Sequence, residues 1–151
     1  MRVQRSKTPV LFFSRKEKER IVRAIENAEK NTSAEIRVHL ERKVQSDILR
    51  HAREKFERLG MTRTKDRNGV LIFLSVQSRA FVILGDEGIH QKVGHDFWGE
   101  VTRKITPLFK QDHFAEGMVL AISVIAEKLK EHFPRGLSDS NKLADTISYS
   151  L

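Results

Sequence analysis

Gly85-Asp86-Glu87-Gly88 sets two carboxylates between glycines, directly after the apolar stretch Arg79-Ala-Phe-Val-Ile-Leu84. Carboxylate and carbonyl oxygens on a freely bending backbone are what hard cations such as Ca2+ and Mg2+ take as ligands. Asp66 and Asn68 stand just ahead of a second apolar run, Val70-Leu-Ile-Phe-Leu-Ser-Val76, and only Gln77-Ser78 separates the two runs. A two-residue link reads as a hairpin, which brings the start of one strand beside the end of the next. Asp66, Asn68, Asp86 and Glu87 are therefore expected to converge at one edge of a sheet, as a candidate Ca2+ or Mg2+ site. A purely structural reading competes for the same residues. Asp86 then caps the helical turn that follows it, and Arg67 or Lys65 supplies the counter-charge in place of a metal.

Other polar groups offer less. His90 and His95 follow the acidic corner, but a spacing of five does not put both on one helical face, and the reading is of surface or cap-forming histidines. His39 falls on the polar side of a strand, and His51 and His132 lie among charges. Arg37 and Arg79 are strand residues that either pair with Glu35 or receive an anion. Trp98, beside Phe97, is expected to cover the sheet edge. The chain lacks the glycine loops of nucleotide binders, a Gly-x-Ser-x-Gly elbow and a His-Glu-x-x-His helix. With no cysteine, disulfides, thiolate catalysis and cysteine-ligated zinc are excluded together.

The elements that must position these groups follow from periodicity. Ser14-x-x-Glu17 is a capping box opening a helix with Ile21, Ala24, Ile25 and Ala28 on one face. Glu35-Ile-Arg-Val-His-Leu-Glu41 alternates as a half-buried strand. Asp47 caps a helix carrying Ile48, Ala52, Phe56 and Leu59, closed by Gly60. The nearly continuous apolar run Val70–Val76 is a strand covered on both faces. Strand, helix, strand implies a right-handed parallel crossover, and the hairpin adds an antiparallel neighbour, so the sheet is mixed. Ile89–Val93 is read as a short turn, followed by a helix capped by Asp96 with Pro107 kinking or breaking it. Phe114, Met118, Ala121, Ile122, Ile125 and Leu129 trace a final helix ending at Phe133-Pro134.

At 151 residues the chain is one domain by size. Charged residues make up 32% and no apolar run reaches the roughly 20 residues of a spanning helix, so a cytoplasmic protein is expected. The net charge of +8 is spread over helix faces interleaved with Glu17, Glu19, Glu54 and Glu57. One Trp and one Tyr give no aromatic platform for bases. Specific nucleic-acid binding is not expected. Weak, salt-sensitive contact with anionic surfaces follows from charge alone.

Several motifs together resemble the TPM domain family. They are Glu19-Arg20-Ile21, Ala24-Ile25-x-x-Ala28-Glu29, Thr32-Ser33-Ala34-Glu35-Ile36-Arg37-Val38, Phe56-x-x-Leu59-Gly60-Met61, Arg67-Asn68-Gly69-Val70-Leu71-Ile72-Phe73, Gly85-Asp86-x-Gly88-Ile89, Phe97-Trp98 and Phe114-x-x-Gly117. The resemblance spans about residues 12–134, with residues 1–11 as an N-terminal arm and 135–151 as a flexible tail, or one in which Leu143, Ile147 and Leu151 dock on a partner. It implies a three-layer α/β/α sandwich around a mixed, mostly parallel sheet. It also implies calcium binding in some members and acid phosphatase activity in others, carried here by Asp86 and the neighbourhood of Asp66 and Asn68. Arg67 departs from the pattern, which often has aspartate directly before Asn-Gly. Three functions stay open: a non-enzymatic cation-binding module with an unknown protein partner, a metal-assisted phosphomonoester hydrolase, and a basic adaptor whose positive surface docks on an anionic protein, membrane or nucleic acid.

Overall fold

The computed structural model describes residues 5–44, 46–136 and 147–150. The helices are α1 (Pro9–Phe12), α2 (Arg15–Glu29), α3 (Ile48–Arg58), α4 (Glu87–Val93), α5 (His95–Lys110) and α6 (Phe114–His132). The strands are β1 (Glu35–Glu41), β2 (Gly69–Ser75), β3 (Ala80–Gly85) and β4 (Ser148–Ser150), and a 3-10 turn spans Met61–Arg63. They form one four-stranded sheet in the order β3-β2-β1-β4. β1 runs parallel to β2 and β4, and β2 runs antiparallel to β3. This is the mixed, mostly parallel α/β arrangement expected.

The layers follow from strand alternation. Ile36, Val38 and Leu40 of β1 and Val70, Ile72 and Leu74 of β2 pack into a core with α2, α5 and α6. Leu71 and Phe73 point the other way, onto Ala52, Phe56 and Met61 of α3 and the 3-10 turn. Every residue of β2 is buried, as a strand covered on both faces requires.

Caps fix the helix starts. Ser14 and Glu17 exchange both bonds of the capping box. Asp47 accepts from Leu49 and Arg50 N–H, and Gly60 takes φ 74° after α3, where a side chain would be strained. Two boundaries differ from the sequence reading. α4 is a full helix from Glu87, because Asp86 accepts its first N–H. α5 starts at His95 rather than after Asp96, and passes through Pro107 in its last turn as a single element.

Both termini are more engaged than the sequence suggests. Arg5, in the expected N-terminal arm, makes two 2.7 Å hydrogen bonds to the Glu17 carboxylate and lies over the Phe12, Phe13 and Phe114 rings. In the expected flexible tail, Ile147 is buried and Ser148–Ser150 adds a parallel strand to the β1 edge. An open strand edge and a polar buried neighbour, His39, explain why a Ser-Tyr-Ser segment docks there. Leu143 and Leu151 lie outside the described residues.

Candidate functional site

Where β1 and β2 begin, the two connections leading into them meet. Thr32 and Ser33 are fixed to the end of α6: the Thr32 hydroxyl donates to the Phe133 carbonyl at 2.5 Å, and Ser33 N–H to the same carbonyl at 3.0 Å. Asn68 N–H donates to Thr64 Oγ1 at 3.0 Å, and its amide Nδ2 to Ser33 Oγ at 3.2 Å, which ties the two connections together. Between them lies a recess of about 40 Å3 lined by Glu29, Thr32, Ser33, Glu35, Thr64, Lys65, Asp66, Asn68 and Arg135. Glu29 and Glu35 are 5% and 4% exposed, so two carboxylates are buried in its wall. One Glu29 oxygen accepts Ile36 N–H at 2.8 Å, and Arg135 donates to the Glu29 carbonyl.

Asp86 and Glu87 belong to the other side of the same loop. The backbones do converge: Gly88 N–H donates to the Arg67 carbonyl and Asp86 N–H to the Gly69 carbonyl, both at 2.9 Å. The side chains divide. Asp66 and Asn68 open into the recess, whereas Asp86 lines a cleft of about 270 Å3 with Arg53, Phe56, Arg67, Leu84 and His90. Arg67, held at φ 51°, grips Asp86 through Nε at 2.7 Å and Nη2 at 3.0 Å, and reaches Glu87 at 3.3 Å. The second Asp86 contact is its cap on Glu87 N–H at 2.8 Å. A guanidinium and a helix N-terminus thus already satisfy this carboxylate. The four residues do not share one ligand pocket, and the Asp86 corner does not fit a metal while Arg67 fills it. Among the described residues, no three acidic or histidine side chains are gathered tightly enough to hold an ion unaided.

Glu29 and Glu35 are lining carboxylates whose part here the sequence did not single out, and the Thr32, Ser33 and Thr64 hydroxyls and Arg135 join them. A signal existed for Glu29: it follows Ile21 and Ile25 at spacings of four, a carboxylate on the buried stripe of its helix.

His90 and His95 stand on separate helices, with ring centroids 6.1 Å apart. Trp98 covers Gly85, where a Cβ would meet its ring at 2.5 Å. Arg79 pairs with Asp112 at 2.5 Å, not with Glu35. His39 is 1% exposed, not on a polar face, because β4 closes over it. Its Nδ1 is 2.7 Å from Ser148 Oγ and its Nε2 is 3.1 Å from Glu41 Oε2. That is the contact pattern of a nucleophile–base–carboxylate relay, but stacked on Phe73 and sealed from solvent it works as a structural tie. Burial holds the His39 imidazole below its ordinary pKa.

Residues 8–128 match the family model for the TPM domain. The chain belongs to the TPM domain family. Among solved structures, this TPM domain resembles the BA42 protein of the psychrophilic bacterium Bizionia argentinensis at 42% identity and a TM-score of 0.87, over 92% of this chain and 96% of that one. It also shares a fold with the N-terminal domain of a protein from P. gingivalis, at 14% identity and a TM-score of 0.67, over 88% and 96% of the two chains. No match is found among curated proteins. Among the described residues of the TPM domain, no helix is long and apolar enough to cross a membrane.

Proposed function

We propose that this TPM domain is a non-enzymatic module that binds a hard divalent cation, Ca2+ or Mg2+, in the recess at the start of β1 and β2, and works through a protein partner. The observation that carries the reading is the recess itself. Carboxylates of Glu29, Glu35 and Asp66, the Asn68 amide and the hydroxyls of Thr32, Ser33 and Thr64 line about 40 Å3. One water needs about 10–15 Å3, so the space suits an ion with a water or two and excludes a phosphomonoester. Lys65 and Arg135 in the same wall offset part of the acidic charge. Asp66 and Asn68 are the residues that would hold the ion, with hydroxyls and waters completing its shell, and the bound ion would supply a fixed positive charge joining the two connections. Such a mixed oxygen set argues for a dissociation constant of about 10⁻⁴–10⁻³ M.

Phosphatase chemistry finds no comparable support. The catalytic-looking relay described above is sealed, and of the two carboxylates lining the 270 Å3 cleft, Glu57 and Asp86, the buried one is held by Arg67. Calorimetry with CaCl2 and MgCl2 tests the proposal. Heat with millimolar affinity is expected for the native protein, and Asp66→Ala should lose it at least tenfold while Asp86→Ala keeps it. Absence of heat for both ions overturns the reading. Turnover of a generic phosphomonoester that survives repurification and disappears in Asp66→Ala overturns its non-enzymatic part.

A further inference from the structure

Arg37 stands on the central strand β1, in register with Leu71 of β2. Its side chain is on the α3 face of the sheet, as are those of Leu71 and Phe73. It is half-buried, and its Nε is closed off from solvent without a hydrogen-bond partner. Among the described residues no carboxylate pairs with it, although Arg5, Arg67 and Arg79 each have one. Two residues along the strand, His39 feels Arg37 and Lys55 as destabilising positive charges, while Glu41 and the Ser148 and Ser150 hydroxyls complete its surroundings. Lys55 Nζ itself reaches Ser150 Oγ at 3.0 Å. Strand alternation places Glu35, Arg37, His39 and Glu41 on this face, and among the described residues no ion pair answers the Arg37 guanidinium.

Desolvation without a partner is costly for a charge, and a buried guanidinium is ordinarily matched by a planar two-oxygen acceptor. Burial is the cause that pulls the Arg37 guanidinium below its usual range, and among the described residues no acid compensates. We propose that Arg37 is the receiving group of an oxyanion site on the α3 face of the sheet, taking a carboxylate or phosphate group, with Lys55, which acts on the same imidazole, as a supporting cation. The site is distinct from the cation recess and does not depend on it. The bound anion meets Arg37 in a charge-assisted, forked contact, and it relieves the positive field at His39.

The test is an NMR titration of the whole protein with sodium phosphate and, separately, sodium acetate, against chloride at constant ionic strength. A saturable shift of the Arg37 Nε–H resonance is expected with at least one of the two anions. The His39 titration midpoint should rise with it, as the positive charge of Arg37 is answered. Arg37→Gln should weaken the response at least tenfold while removing only one charge from the net +8, so general attraction persists. Arg37→Lys, which keeps the charge but loses the fork, should bind detectably and more weakly. A response to phosphate alone assigns a phosphoryl ligand, and one to acetate alone assigns a protein carboxylate. No saturable response to either anion, or an unchanged response in Arg37→Gln, overturns the proposal.

Discussion

Gly88 and Asp86 show how single residues fix the loops around the recess. A Cβ at Gly88 would lie 2.1 Å from the Asp66 carbonyl and 2.7 Å from the Arg67 carbonyl. Both obstacles are backbone, so no rotamer relieves them, and Gly88→Ala should destabilise the fold by about 3 kcal/mol in urea unfolding. Gly99 in α5 is the contrast: its nearest neighbour is Arg103 Nη1 at 3.6 Å, and Gly99→Ala should stabilise by about 1 kcal/mol. Asp86→Ala removes a helix cap and a carboxylate held by Arg67. The Arg67 side chain is 41% exposed and screened by solvent, so the expected cost is that of the lost cap, about 1 kcal/mol, read from the same unfolding curves.

Elements decide what the residue types alone leave open. β1 was legible in the sequence to its end residues, because Glu35–Glu41 alternates without interruption. β4 was not legible: Ser-Tyr-Ser has no apolar period, and its docking depends on an edge and a buried imidazole that come from elsewhere in the chain. The same docking explains why His39, apparently on a polar face, is buried. It also sets a pH dependence. The folded His39 pKa lies below the unfolded value of about 6.5, so the unfolded chain binds more protons in that range. Stability is then full above pH 6.5 and declines as the pH falls below it. Urea midpoints measured at pH 7.5 and 5.5 should show this loss in the native protein, with a smaller loss in His39→Gln. A separate window belongs to Glu17, whose carboxyl is held below the usual range by its hydrogen bonds from Arg5. Its contribution is present above the ordinary glutamate pKa and is lost only in stronger acid.

At the scale of the whole molecule, the hydrophobic periods and turn signals carried most of the architecture. Strand–helix–strand, a two-residue link and two long amphipathic helices leave few alternatives to a mixed α/β sheet covered on both faces. The candidate site was legible only in part. Spacing brought the Asp66 and Asp86 loops together, and their backbones do meet, but spacing cannot say on which side of a loop each carboxylate emerges. Arg67 answered Asp86, and Glu29 and Glu35 arrived from the opposite connection. The net charge of +8 acts at the same scale. Attachment to a polyanion such as heparin should be weak, insensitive to sequence, and abolished between 0.1 M and 1 M salt as the screening length contracts from about 10 Å to about 3 Å.

Amide NMR shifts during a CaCl2 titration probe the cation recess most directly. Saturable shifts are expected at Ser33–Glu35 and Thr64–Gly69, with Glu87 and Gly88 moving little. Shifts concentrated at Asp86–Gly88, or none at millimolar calcium, would contradict the account.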